Sequence, residues 1–219
     1  YILDGPVLKP KSGNIIKSAV IMLHGYGADG NDLIQLAPFF SDFLPNTIFF
    51  SPHAPDTTSH GIGRQWFNID FYTPELIKGD KSELVSSLSK MHEGAQKSST
   101  LLNDYIKKIK MDYKLTNKQI ILIGFSQGTM MALSNGLLQE SALAGIIGFS
   151  GALMGEKEIV NNLKSPPPII LIHGNDDDLI PPEATIYMHN ILRKNDIEVS
   201  HHILNNVGHS INDEGISIA

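Results

Sequence analysis

The chain has 219 residues, 42% apolar and 18% charged, with a formal net charge of −6. That length suits one domain with a substantial core, and the mildly acidic balance offers no basic footprint for nucleic acid. Cysteine is absent, which excludes disulfides, thiolate metal sites and a cysteine nucleophile.

No apolar run is long enough for a membrane span, and YILDGPVLKP lacks a signal-peptide pattern. A soluble, cytoplasmic protein is therefore expected. The chain starts without Met, so a few leading residues are expected to be missing.

AVIMLH (Ala19 to His24) is short, apolar and partly β-branched, and it stops at the glycine-rich loop GYGADGND. It reads as a buried strand. Asn31 or Asp32 is expected to cap a helix with Leu33, Leu36, Ala37 and Phe40 on one face. TIFFSP (Thr47 to Pro52) is a second strand, ended by proline. The polar stretch from Ala54 to Lys81 shows no clear period. Leu84, Leu88, Met91, Ala95, Leu102, Ile106 and Ile109 then recur at helical spacing and predict a long amphipathic helix.

Gln119 to Phe125, Ala144 to Phe149, Pro168 to His173 and Val199 to Leu204 are further strands. Strands alternating with helices over the whole chain predict a single α/β domain over 1–219, with a mostly parallel sheet and helices on both faces. In such sheets ligands gather beyond the carboxyl ends of the strands. That selects HGYG, SPHAP, GFSQG, FSG, HGNDDD and NNVGHS as the loops to inspect.

GFSQG matches the G-x-S-x-G elbow, with a strand before it and a helix after. In that turn the glycines two places either side of the serine pass close to neighbouring backbone, where a Cβ would clash. Ser126 is either an exposed nucleophile or an ordinary helix cap. A serine nucleophile needs a base oriented by an acid, in the chain order Ser, Asp or Glu, His on this kind of sheet. HGNDDDLIPP supplies Asp176, Asp177 and Asp178, of which one can face the base while the others cap or solvate a turn. His209, after the last strand, is the candidate base. His189, in a helical stretch, and His201 and His202, inside the last strand, read as structural or solvated. The oxyanion of a tetrahedral intermediate would be met by the backbone N–H of Gln127 at a helix N-terminus and, since HGYG is similar to the HGGG loop, that of Tyr26.

Four motifs in order, LHGYGADGND, GRQWFNID, GFSQG and HGNDDDLIP, resemble the phospholipase/carboxylesterase family of α/β-hydrolases, which includes the acyl-protein thioesterases. The likeness runs from about Val20 to His209. It implies an α/β-hydrolase fold with little or no cap domain, and a serine esterase that uses no metal or cofactor. Carried over by motif, it implies Ser126 as nucleophile, Asp177 as acid, His209 as base, Tyr26 and Gln127 as oxyanion donors, and Trp66 and Phe67 as walls of an acyl pocket. The implied substrate is a small-molecule or lipid-like acyl ester, thioester or lysophospholipid, or an acylated protein, cleaved by a monomer or homodimer.

Ten residues follow His209, fewer than the family's usual final helix, so a truncated or disordered tail is expected. Two other classes compete. One is a catalytically silent ligand-binding protein on the same fold. The other is a metallohydrolase built on HGNDDD with His201 and His202, which show no recognised ligand spacing.

Overall fold

The computed structural model describes residues 2–13, 15–70 and 81–219, and the side chains of 81–85 are outside that description. Seven strands form the main sheet: β1 (Val7–Leu8), β2 (Ser18–Leu23), β3 (Thr47–Phe50), β6 (Ile120–Phe125), β7 (Gly145–Phe149), β8 (Ile169–Gly174) and β9 (Val199–Leu204). Their spatial order is β1-β3-β2-β6-β7-β8-β9. Among the described residues, only the β1–β3 pair within that sheet is antiparallel. The expected mostly parallel sheet is thus present, and its six longer strands are the six strands expected from the sequence. β1 is too short to leave a pattern.

Successive side chains of a strand point to opposite faces, and β2 shows the consequence. Ala19, Ile21 and Leu23 enter one core cluster, while Val20 and Met22 enter another. Helices cover both clusters. On the first face lie α3 (Lys81–Tyr113), α4 (Gln127–Gly136), α5 (Glu156–Asn162) and α6 (Glu183–Lys194). α3 is the long amphipathic helix foreseen from its periodicity, and it buries Met91, Ala95, Leu102, Ile106 and Ile109. Leu84 belongs to that pattern, but its side chain lies outside the described residues.

On the second face lie α1 (Gly30–Leu33), α2 (Ala37–Ser41) and α7 (Asp213–Ile218). Here two expectations change. The helix after β2 is capped by Asp29, whose carboxylate accepts from Asn31 N–H at 2.8 Å, not by Asn31 or Asp32. A 3-10 turn, Ile34–Leu36, then separates α1 from α2. The tail, expected to be truncated or disordered, is not disordered: it forms α7. Asn212 caps it by accepting from Gly215 N–H at 2.8 Å, and Ile218 packs on the core.

The stretch without a clear period contains a small antiparallel hairpin, β4 (Asp56–Thr57) with β5 (Arg64–Gln65); its residues 71–80 lie outside the description. Two-residue strands are too short to show alternation.

Register sets the site. Leu23 pairs with Gly124, Phe125 with Phe149, Phe149 with Ile172, and Gly174 with Leu204. The strands β2, β6, β7, β8 and β9 therefore end nearly level, and their following loops meet along one edge. Among the described residues no helix is long and apolar enough to cross a membrane.

Candidate active site

Ser126 stands between β6 and α4 with φ 54° and ψ −116°. A non-glycine residue there is strained by about 1–3 kcal/mol and persists only when its surroundings fix it. They do so from both sides: Ser126 N–H donates to Phe149 O at 2.8 Å, and Ser126 O accepts from Thr129 N–H at 3.0 Å and Met130 N–H at 3.2 Å. The serine occupies the cap position of α4, yet its side chain makes no capping hydrogen bond. The hydroxyl is presented, not spent on the helix.

The flanking glycines have the reason inferred for them. A Cβ on Gly124 would lie 2.4 Å from Thr129 N, and one on Gly128 would lie 1.8 Å from Leu23 O. Because both obstacles are backbone, neither can swing aside. Gly128→Ala is expected to cost more than about 3 kcal/mol, measured by urea unfolding; a loss under about 1 kcal/mol would show that the elbow can open.

His209 sits in the loop after β9, with its side chain 14% exposed. Its Nδ1 is 2.7 Å from Asp177 Oδ2. A carboxylate only accepts, so Nδ1 carries the hydrogen and Nε2 keeps its lone pair. Asp177 is buried, whereas Asp176 and Asp178 are exposed. Of the three aspartates, only Asp177 meets an imidazole. Burial pushes its carboxyl up, but hydrogen bonds from His173, His209 and Ile180 N–H outweigh this and hold it well below the usual carboxylate range.

The His209 ring lies 4.9 Å, centroid to centroid, from the ring of Phe125, the residue before the serine. Among the described residues no hydrogen bond joins Ser126 Oγ to His209. In unliganded hydrolases such contacts are often long and tighten only with substrate.

Tyr26 N–H and Gln127 N–H have no hydrogen-bond acceptor among the described residues. One segment connects their two loops. Gly27 N–H donates to Arg64 O at 2.9 Å and Arg64 N–H to Ala28 O at 2.9 Å. Two residues on, Trp66 N–H donates to Gln127 Oε1 at 2.7 Å, and Gln127 Nε2 donates to Phe67 O at 2.8 Å. Trp66 Nε1–H reaches back to His24 O at 2.9 Å. Trp66 and Phe67 are 1% and 2% exposed and lie in the core, so the GRQWF stretch acts as a brace between the Tyr26 loop and the head of α4.

His24 completes that brace. Its Nδ1–H donates to Gly25 O at 2.7 Å and its Nε2 accepts from Ala54 N–H at 3.0 Å. Burial pushes its pKa below the ordinary histidine value.

The phospholipase/carboxylesterase model matches residues 10–219. The chain belongs to the phospholipase/carboxylesterase family. Among curated members, acyl-protein thioesterase 1 of Emericella nidulans is 30% identical over 177 residues, 76% of this chain and 72% of that protein. Acyl-protein thioesterase 1 of Gibberella zeae is 27% identical over 204 residues, 88% of this chain and 83% of that one. Among solved structures, esterase PE8 is 34% identical with a TM-score of 0.88, covering 100% of this chain and 96% of its own. This phospholipase/carboxylesterase member is accordingly a hydrolase of the esterase and thioesterase type.

The family motifs did not flag two side chains the structure brings into play, His173 and the amide of Gln127. His173 had a weak signal, a histidine four residues before Asp177; the Gln127 amide had none nearby, because its partners lie 61 and 60 positions away. The other histidines lie elsewhere. His189 on α6 and His201 on β9 pack with ring centroids 4.3 Å apart, and His202 is exposed. Among the described residues no group of three or more His, Asp or Glu is placed to hold a metal ion.

Gln127→Leu would leave Trp66 N–H and Phe67 O buried without partners. A loss of about 2–4 kcal/mol is expected, seen as a fall of roughly 5–15 °C in Tm. An unchanged midpoint would mean that the amide braces nothing.

Proposed function

We propose that this chain hydrolyses carboxylic esters and thioesters through an acyl-enzyme on Ser126, with His209 as base and Asp177 as its orienting acid. His209 Nε2 takes the proton of Ser126 Oγ as the oxygen attacks the acyl carbonyl. The tetrahedral oxyanion is met by Tyr26 N–H and Gln127 N–H, the latter at the positive end of α4. Collapse expels the alcohol or thiol, which leaves with the proton from His209. Water then attacks the acyl-enzyme by the same proton path in reverse and releases the acid. The observation that carries this reading is the 2.7 Å contact between His209 Nδ1 and Asp177 Oδ2, on the same sheet edge as a strained serine that caps nothing.

A hollow of about 510 Å3 beside the oxyanion loop is lined by Tyr26, Ser59, His60, Ile69 and Asp70. It offers room for an acyl chain or a leaving group; Trp66 and Phe67, expected to wall an acyl pocket, are buried in the core and do not line this hollow. The names of the curated relatives favour acylated proteins and lipid-like acyl groups as substrates. Residues 1–219 are taken to work as one cytoplasmic hydrolase domain, as monomer or homodimer.

The deciding experiment is a fluorophosphonate probe followed by peptide mass spectrometry, run beside a panel of short and long acyl esters, thioesters and lysophospholipids. Covalent label on Ser126 is expected. A folded protein that hydrolyses the panel while Ser126 stays unlabelled would exclude the mechanism.

A further inference from the structure

Asp177 accepts more hydrogen bonds than one imidazole requires. Its Oδ1 takes the N–H groups of Leu179 at 3.0 Å and Ile180 at 2.9 Å. Its Oδ2 is shared: His209 Nδ1 lies 2.7 Å away and His173 Nε2 lies 3.1 Å away. His173 is the histidine of HGNDDD, in β8, and its side chain is 0% exposed.

The polar contacts of that ring fix its hydrogen. Nε2 also lies 2.8 Å from Ile180 O. Both neighbours of Nε2, a carbonyl and a carboxylate, can only accept, so Nε2 carries the hydrogen and shares it between them. Nδ1 lies 2.7 Å from the hydroxyl of Thr185, a buried residue in the first turn of α6. That hydroxyl can donate, and Nδ1 is the acceptor it meets.

We propose that His173, held by Thr185 as the Nε2–H tautomer, is a positioning residue that fixes Asp177 Oδ2 for His209. The inference rests on the triad reading above. Two backbone N–H groups already hold Oδ1, but Oδ2 would otherwise answer only to His209, the group it has to orient. The bond from His173 pins Oδ2 to β8 and α6, independently of the loop that carries His209. The acid then stays in place while the imidazole shuttles its proton, which is what preorganisation requires.

A histidine that only filled space would be a poor choice here. An apolar side chain of similar size would do so without burying two ring nitrogens that need partners. Among the described residues, every polar contact of the His173 ring goes either to Asp177 and its turn at Ile180 or to Thr185 on the helix that follows.

The test compares His173→Gln, which keeps an N–H near the reach of Nε2, with His173→Leu, which keeps bulk but no donor. Rates are measured on a short-chain p-nitrophenyl ester, well below the lowest unfolding midpoint, with Ser126→Ala as control. His173→Leu is expected to lose about tenfold to a hundredfold in kcat with little change in KM. His173→Gln is expected to stay within about threefold of wild type. Equal rates for Gln and Leu, whether both low or both normal, would overturn the proposal in favour of plain packing. Should His173→Leu fail to fold, Thr185→Val against Thr185→Ser decides: Ser retains kcat and Val loses it if the tautomer matters, and equal rates overturn the proposal. Activity surviving in Ser126→Ala would remove the triad reading and this inference with it. An inactive Ser126→Ala beside matching His173 variants would remove this inference alone.

Discussion

Ser126→Ala should lower kcat by about 10⁶-fold, the loss measured for the nucleophile of a well-studied serine hydrolase, while leaving the fold unchanged. The two halves of that expectation come from the same geometry. Alanine keeps the Cβ that makes φ 54° costly, so the elbow is no more and no less strained than before. Its one missing atom, Oγ, makes no bond to α4, so stability should move by less than about 0.5 kcal/mol. Were the serine a helix cap, the same change would cost about 1 kcal/mol and leave turnover alone. Steady-state hydrolysis and a thermal melt on one preparation separate the two. A variant that keeps more than about a tenth of the wild-type rate would exclude Ser126 as the attacking group.

Much of this was readable from local pattern. β2, β6, β7 and β8 are buried strands with parallel neighbours and so appear as plain apolar runs, and the elbow announces itself because the obstacles to Gly124 and Gly128 are fixed backbone in the same turn and at the adjacent strand end. What local pattern could not carry is which polar group meets which. Asp176, Asp177 and Asp178 are equivalent as letters; only the turn that buries the middle one and aims it at His209, 32 positions on, distinguishes it. Resemblance, rather than composition or spacing, pointed to Asp177. The capping residue of α1 shifted to Asp29 for a related reason: Asp29, Asn31 and Asp32 can each cap, and the backbone angle of Asp29 selects it.

The Gln127 amide is the sharper case. Its partners are Trp66 and Phe67, 61 and 60 positions away, so nothing near GFSQG reveals that the residue after the serine has a structural task for its side chain beside the oxyanion role proposed for its backbone. That pairing has a consequence for specificity. The two N–H groups assigned to the oxyanion lie on loops about a hundred positions apart, and the 64–67 segment bonds to both. Changes in the hairpin above it can therefore reach the proposed oxyanion donors without touching the serine or the histidine.

Asp177→Asn should lower kcat by about 10⁴-fold, as an amide does in place of the triad acid elsewhere, whereas Asp176→Asn and Asp178→Asn should stay within about threefold. The amide cannot accept on every side: an N–H facing His209 Nδ1 would force the hydrogen to Nε2, the atom proposed to receive the serine proton. The change should also alter stability in a pH-dependent way. Asp177 has a folded pKa below its unfolded one, so its contribution is fully present above the unfolded carboxyl value of about 3.9 and is lost as pH falls through the lower folded value. Asp177→Asn lacks that contribution at every pH. The stability gap to wild type, measured by urea unfolding, should therefore be widest near neutrality and narrow below about pH 4. For the two exposed aspartates no such gap is expected. Equal losses of activity across the three asparagine variants, or a gap for Asp177→Asn that does not depend on pH, would sink the assignment of Asp177 as the charged partner of His209.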